Sequence, residues 1–203
     1  MVISRLKFAK YKTKADKKIS ALILDVITEG YALLQTKASY EIFDVEISKG
    51  TIKVIGESFI IKSRLLAKHL KGAKRIALFV CTIGSELPSK VNEYAVRGEI
   101  ARATILDAVG SEAAEALAEK IDELIKAKAK QEGFSAVRRF SPGYGDWTLF
   151  DQAKILKILK AGRLGVRLTK GCIMVPEKSV TACIGLAQKS PRPIRKIYER
   201  HIK

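Results

Sequence analysis

The chain has 203 residues, 47% hydrophobic and 29% charged, which is enough for one sizeable core in a soluble protein. No apolar run reaches the roughly 18–20 residues of a membrane span, and the basic residues 1–18 lack the apolar centre of a signal peptide. A cytoplasmic protein with no membrane partner is expected. The formal net charge is +17, and residues 126–203 hold 18 Lys and Arg against 5 Asp and Glu. That balance points to an acidic protein, a polyanion or a lysine-rich solvated surface.

Residues 15–35 read as an amphipathic helix, with Ile19, Leu22, Val26, Ile27, Tyr31 and Leu34 at helical spacing. Residues 40–47 alternate through Ile42, Phe43, Val45 and Ile47, then meet Lys49-Gly50. A second strand over 51–55 completes a hairpin. Residues 63–70 form a short helix with Gly72 as its C-cap. A buried strand over 75–82 runs to Gly84, and a helix over 86–94 follows. The longest helix spans 99–131, with an apolar stripe of Leu106, Val109, Ala113, Leu117, Ile121 and Leu124. Gly110 in its middle bends it or admits close packing, and Gly133 ends it. Residues 134–147, rich in glycine and aromatics, read as a structured loop. A helix over 148–161 stops at Gly162, strands follow over 172–175 and 180–186, and a tail rich in cations and proline begins at Gln188. Without a regular βαβ rhythm the class is α+β: a mixed, largely antiparallel sheet with flanking helices, in one domain spanning 1–203. The helix and hairpin of residues 1–60 open that domain.

Cys81, Cys172 and Cys183 each sit in an apolar run, and no CxxC pair exists; with only His69 and His201 besides, a disulfide framework or structural metal site is not indicated. There is no P-loop, HExxH or GxSxG, and Gly143-Tyr144-Gly145 is a lone GxG. No zinc finger or aromatic RNA-binding signature appears, so nucleic acid is not an expected partner on motif grounds and rests on charge alone.

The informative stretch is Arg138-Arg139-Phe140-Ser141-Pro142-Gly143-Tyr144-Gly145-Asp146-Trp147. Pro142-Gly143 is a strong turn, since proline presets φ at the first corner and glycine tolerates positive φ at the second. A guanidinium beside tightly turned amides receives a carboxylate well. From the residues alone, two readings stand: a site for an anionic or zwitterionic ligand, and a buried tight turn with a salt-bridged arginine.

Arg139-x-x-Pro142-Gly143-Tyr144 resembles the S-adenosylmethionine-binding signature of the reactivation domain of cobalamin-dependent methionine synthase. The helical stretch from Ala114 to Glu119 resembles the acidic helix before that signature. Leu168-Thr169, Met174, Pro176, Ser179 and Val180 resemble its strand-turn-strand after it. The resemblance implies that Arg139 pairs with the ligand carboxylate, Glu115 approaches its ammonium region, and Pro142, Gly143 and Tyr144 lie along the ligand. Arg138 reads as a surface cation. The sequence departs from the family where Gly145 replaces a proline, and a family aspartate and a second tyrosine have no counterpart.

The resemblance further implies the chemistry. An oxidised cobalamin, carried by a separate methionine synthase core, accepts an electron from a flavodoxin- or ferredoxin-like donor and is remethylated from S-adenosylmethionine. This chain would supply positioning rather than a general base. It has no cysteine cluster for zinc, and its partial match to the cobalamin-binding DxHxxG pattern (His69, Gly72, with Ala67 at the aspartate) reads as chance. Three alternatives stay open: a partner of another corrinoid methyltransferase, a basic nucleic-acid-binding module, and a scaffold that has lost the ligand.

Overall fold

The computed structural model describes residues 17–188. The first two positions of the helix expected over 15–35, and the tail beyond Gln188 with His201, lie outside the described residues. In chain order the elements are α1 (Lys17–Ala32), β1 (Lys37–Ser48), β2 (Thr51–Val54), β3 (Phe59–Lys62), α2 (Arg64–His69), β4 (Ala73–Thr82), α3 (Glu86–Val96), α4 (Ile100–Gln131) and β5 (Phe134–Ala136). A loop then leads to α5 (Gln152–Ile158), a small hairpin of β6 (Arg167–Leu168) and β7 (Met174–Val175), and β8 (Ser179–Gln188).

Six strands make one sheet in the order β3-β2-β1-β4-β8-β5, every pairing antiparallel, so the α+β class is observed. β4 lies between β1 and β8, and pairs with β8 from Thr82↔Ser179 to Ala73↔Ala187. Successive residues face opposite sides of a strand, and both sides are covered here. Ile76, Leu78, Val80 and Cys183 pack with Trp147 and Ile155 on one face. Ala77, Phe79, Cys81, Ala182, Ile184 and Leu186 pack under α4 on the other. Each large apolar side chain buried this way contributes roughly 1.5–3 kcal/mol. A third cluster joins α1 and α3 to the first half of α4 through Val26, Leu87, Leu106 and Val109.

The α4 stripe is rotated from the one expected. Leu106 and Val109 are buried, but further along the buried line is Ala114, Ala118, Ile125 and Ala129, while Leu124 is exposed. Alanines let the helix lie close on the sheet, and Leu117 and Ile121 pack beside that line rather than forming it. Gly110 admits close packing: a Cβ there would stand 2.6 Å from Leu87 Cδ2 of α3. In α1 the buried residues are Ile23, Val26 and Gly30, with Ile19 and Tyr31 exposed. The face turns because Gly30 meets Val109, where a Cβ would come within 2.7 Å.

Other boundaries move for local reasons. The hairpin of β1 and β2 gains a third strand, β3, whose Phe59 and Ile61 point inward over only four residues. The loop expected over 134–147 begins as strand β5 on the β8 edge. The helix expected over 148–161 is a 3₁₀ turn at Leu149–Asp151, the short α5, and a second 3₁₀ turn at Ala161–Leu164, broken where Lys160 takes φ 51°. Only Met174–Val175 of the strand expected over 172–175 is extended, and Cys172 has φ 60°.

Candidate functional site

The signature loop is hung on β8. Val137 N donates to the Gly185 carbonyl at 2.9 Å, and Phe140 and Cys183 exchange two backbone bonds at 2.9 and 2.8 Å. This extended stretch alternates its side chains. Phe140 packs on the face that holds Trp147, with ring centroids 6.2 Å apart, and Arg139 reaches toward α4. The chain then turns at Ser141–Tyr144. Tyr144 N donates to the Ser141 carbonyl at 3.3 Å, and Gly143 takes φ 91°, the left-handed value that the second corner of a type II turn requires. Gly143 N donates to the Trp147 carbonyl at 2.8 Å, and the buried Trp147 indole donates to Asp151 Oδ2 at 2.9 Å. The turn is thus pinned by the core on its C-terminal side.

Around this loop lies a cleft of about 720 Å³, lined by the loop itself and by five elements, among them α4 through Glu115, α5 through Gln152 and β8 through Ser179 and Thr181. The volume falls within the ~300–1,000 Å³ usual for small-molecule sites. Arg139 and Glu115, 24 residues apart in the chain, form an ion pair in its wall. The Arg139 side chain is 23% exposed and that of Glu115 43%. Arg139 Nη1 is sealed from solvent and has no hydrogen-bond partner among the described residues. A guanidinium offers five donors in a fixed fork, and here part of that fork is unused.

The structure brings Arg139, Glu115, Pro142 and Tyr144 to one cleft, with Gly143 at the corner of its turn. Tyr144 stands on the rim, 67% exposed, with Phe140 edge-on to it at 6.3 Å. Arg138 is exposed, and its carbonyl accepts from His69 Nε2 at 2.6 Å. Ser179 and Pro176 serve the fold: Ser179 Oγ donates to the Pro176 carbonyl at 2.6 Å and lies 2.9 Å from Thr82 Oγ1. His69, given no role by its sequence context, lines the cleft at the end of α2. Gln152 and Thr181 were missed as well. They are buried and joined at 3.0 Å, and Gln152 Nε2 donates to the Cys172 carbonyl at 3.0 Å. A glutamine in an apolar-periodic stretch carries no local signal of such a role.

Cys81 lies under the Arg139–Glu115 pair. Burial pushes its thiol up to about 12, against the pull of the Arg139 charge. Complete burial raises Cys183 further still. Neither is a nucleophile near neutral pH. No group of three or more His, Cys, Asp or Glu among the described residues could hold a metal ion, and no helix there is long and apolar enough to cross a membrane.

Residues 61–192 match the family described as vitamin B12 dependent methionine synthase, activation domain. Among 13 solved chains that match, one is the crystal structure of the MetH reactivation domain bound to AdoHcy. It is 15% identical over 93% of this chain and 73% of its own, with a TM-score of 0.69, and shares the fold. No curated protein matches this sequence.

Proposed function

We propose a function from one premise: the chain belongs to the vitamin B12-dependent methionine synthase activation-domain family. It binds S-adenosylmethionine in the cleft and holds it for reductive remethylation of the cobalamin on a methionine synthase core that lacks this domain, acting in trans in methionine biosynthesis. The observation that carries the reading is the Arg139–Glu115 pair with Arg139 Nη1 unpartnered beside a cleft of suitable size. AdoHcy, bound by the related MetH domain, is a ligand of the same class.

The residues present fit such a ligand. A zwitterionic amino acid end carries a carboxylate for Arg139 and an ammonium for Glu115. On binding, those two charges take the place each residue now fills for the other. Phe140 and Tyr144 supply an aromatic wall. The turn at Pro142-Gly143 holds the wall in place relative to Arg139. Bound S-adenosylmethionine supplies an electrophilic methyl group, so this chain's residues need only bind, orient and exclude water.

Lys49, Arg64, Lys68 and Lys71 line a second, open recess of about 470 Å³ with no acid in its lining. They lie outside residues 126–203, where the cationic excess is greatest. This recess supports docking of an acidic flavodoxin- or ferredoxin-like donor, whose encounter opposite charge accelerates. Insensitivity of donor-dependent reactivation to salt would contradict that assignment.

The test is calorimetric titration of S-adenosylmethionine into the wild type and Arg139→Ala. Loss of a charge-assisted hydrogen bond worth about 1.5–3 kcal/mol weakens binding roughly 10- to 100-fold. Reactivation of a truncated synthase by the wild type alone completes the case. Equal binding by both proteins would displace the ligand from this cleft.

A further inference from the structure

The loop that carries Arg139 and Tyr144 is also held from the side of α2. Four amide groups at a helix N-terminus lack internal partners, and at α2 all four are engaged. Ser63 N donates to the Gly50 carbonyl at 2.9 Å, and Ser63 Oγ accepts from Leu66 N at 2.9 Å. The other two go to a residue about eighty positions away. The Asp146 carboxylate accepts from Arg64 N at 2.7 Å and from Leu65 N at 3.2 and 3.3 Å, and also from the Ser63 hydroxyl. A local capping box would place an acid at the third helical position, but that position is Leu66. At the other end of α2, His69 Nε2 donates to the Arg138 carbonyl at 2.6 Å, and its ring lies 5.4 Å from that of Phe140.

The geometry points to Asp146 and His69 as positioning residues that clamp α2 across the signature loop and so set Arg139 and Tyr144 against the cleft. His69 grips both neighbours of Arg139. Asp146 holds the chain two residues beyond Tyr144, on a stretch otherwise tied only by its own turn bonds and by Trp147. Neither residue is in the apolar core. The carboxylate is exposed and the imidazole half-buried at the cleft wall. Gly145 permits the close approach: it takes φ 58°, and a Cβ there would stand 2.4 Å from Leu65 Cδ2. Binding sites hold their geometry when the supporting contacts lock it to a rigid element. Here that element is α2, seated on the core through the fully buried Leu66 and Leu70.

The inference rests on the assignment of the cleft to S-adenosylmethionine, and its test separates the two. Asp146→Ala, His69→Ala, the double variant and the conservative His69→Gln are made in the full chain, with Asp146→Asn in reserve should the alanine variant not fold. S-adenosylmethionine is titrated well below the melting temperature, and emission of Trp147, the single tryptophan, reports the loop. Each alanine variant is expected to bind about tenfold more weakly and the double about 100-fold, as for misplaced contacts at a preorganised site. His69→Gln, whose amide donates in place of Nε2, stays within about threefold. Trp147 emission shifts to longer wavelength in Asp146→Ala. Wild-type affinity in both alanine variants, with only their melting temperatures lowered, overturns the proposal. Should the wild type itself not bind S-adenosylmethionine, the cleft assignment fails. The clamp is then decided by emission alone, a shift in Asp146→Ala sustaining it and an unchanged spectrum sinking it.

Discussion

Gly145 stands where the resembled signature has proline, and its backbone gives that difference a measurable consequence. It takes φ 58°. An L-residue in the left-handed region costs roughly 1–2 kcal/mol. In Gly145→Ala the new Cβ also meets Leu65 Cδ2 at 2.4 Å. Leu65 is 47% exposed, so it can swing outward, at about 0.5–1.5 kcal/mol for leaving its rotamer. The sum is about 1.5–3.5 kcal/mol, or about 3–14 °C in the melting temperature of a chain this size. Gly145→Pro costs more. Its ring fixes φ near −65° and pushes Tyr144 toward extended backbone. The Trp147 N to Tyr144 carbonyl bond of 3.1 Å and the Asp146 contacts to α2 cannot then persist together. Melting curves followed by circular dichroism, with S-adenosylmethionine calorimetry on each variant, check this. A Gly145→Pro protein that melts and binds like the wild type would refute the loop conformation and the argument drawn from it.

Cys81, held as a thiol by burial that raises it to about 12, is expected to resist a thiol reagent at pH 8 in the native chain and react once the chain is unfolded; Cys183, fully buried, behaves alike. The Ser63 hydroxyl and the α2 amides hold the Asp146 carboxyl below its ordinary 3.8. Its contribution to stability is therefore complete above that value and is lost as pH falls through the lower folded value. Melting curves taken from about pH 6 downward should show a steeper acid decline in the wild type than in Asp146→Asn. Gly110→Ala sets a helix-propensity gain of about 1 kcal/mol against a Cβ 2.6 Å from the fully buried Leu87. Overpacking of about 1–3 kcal/mol prevails, so the variant should melt below the wild type.

What could be read from the sequence follows the range of the forces involved. The Pro142-Gly143 turn is a local property of two residue types, and its φ pattern is found as expected. Arg139 and Glu115 were legible through residue chemistry joined to a family resemblance, and the cleft brings them together. Asp146 was in view within the same stretch but carried no signal, because its partners lie 82 positions away at Arg64 and set its role entirely through tertiary structure. The rotated face of α4 escaped for another reason. Periodicity weights bulky residues, whereas the sheet selects the alanines that let the helix approach. Lys160 at φ 51° ends the helix expected over 148–161 ahead of Gly162, where the sequence places its stop, because lysine gives no local sign of a left-handed backbone.

The wall of the cleft shows what kind of work it can do. Its buried polar groups are spent on one another: Thr181 with Gln152, Gln152 with the Cys172 carbonyl, Ser179 with Pro176 and Thr82. Groups satisfied in this way rigidify a site. The thiol beneath, Cys81, stays protonated. Arg139 Nη1 is the buried donor in that wall without a partner. An unsatisfied buried donor costs about 1–3 kcal/mol, a penalty that a carboxylate arriving at Arg139 removes. On the proposed reading, the free chain is strained in favour of a carboxylate at that one atom and rigid around it. The work of such a wall, on that reading, is to hold and orient a charged group.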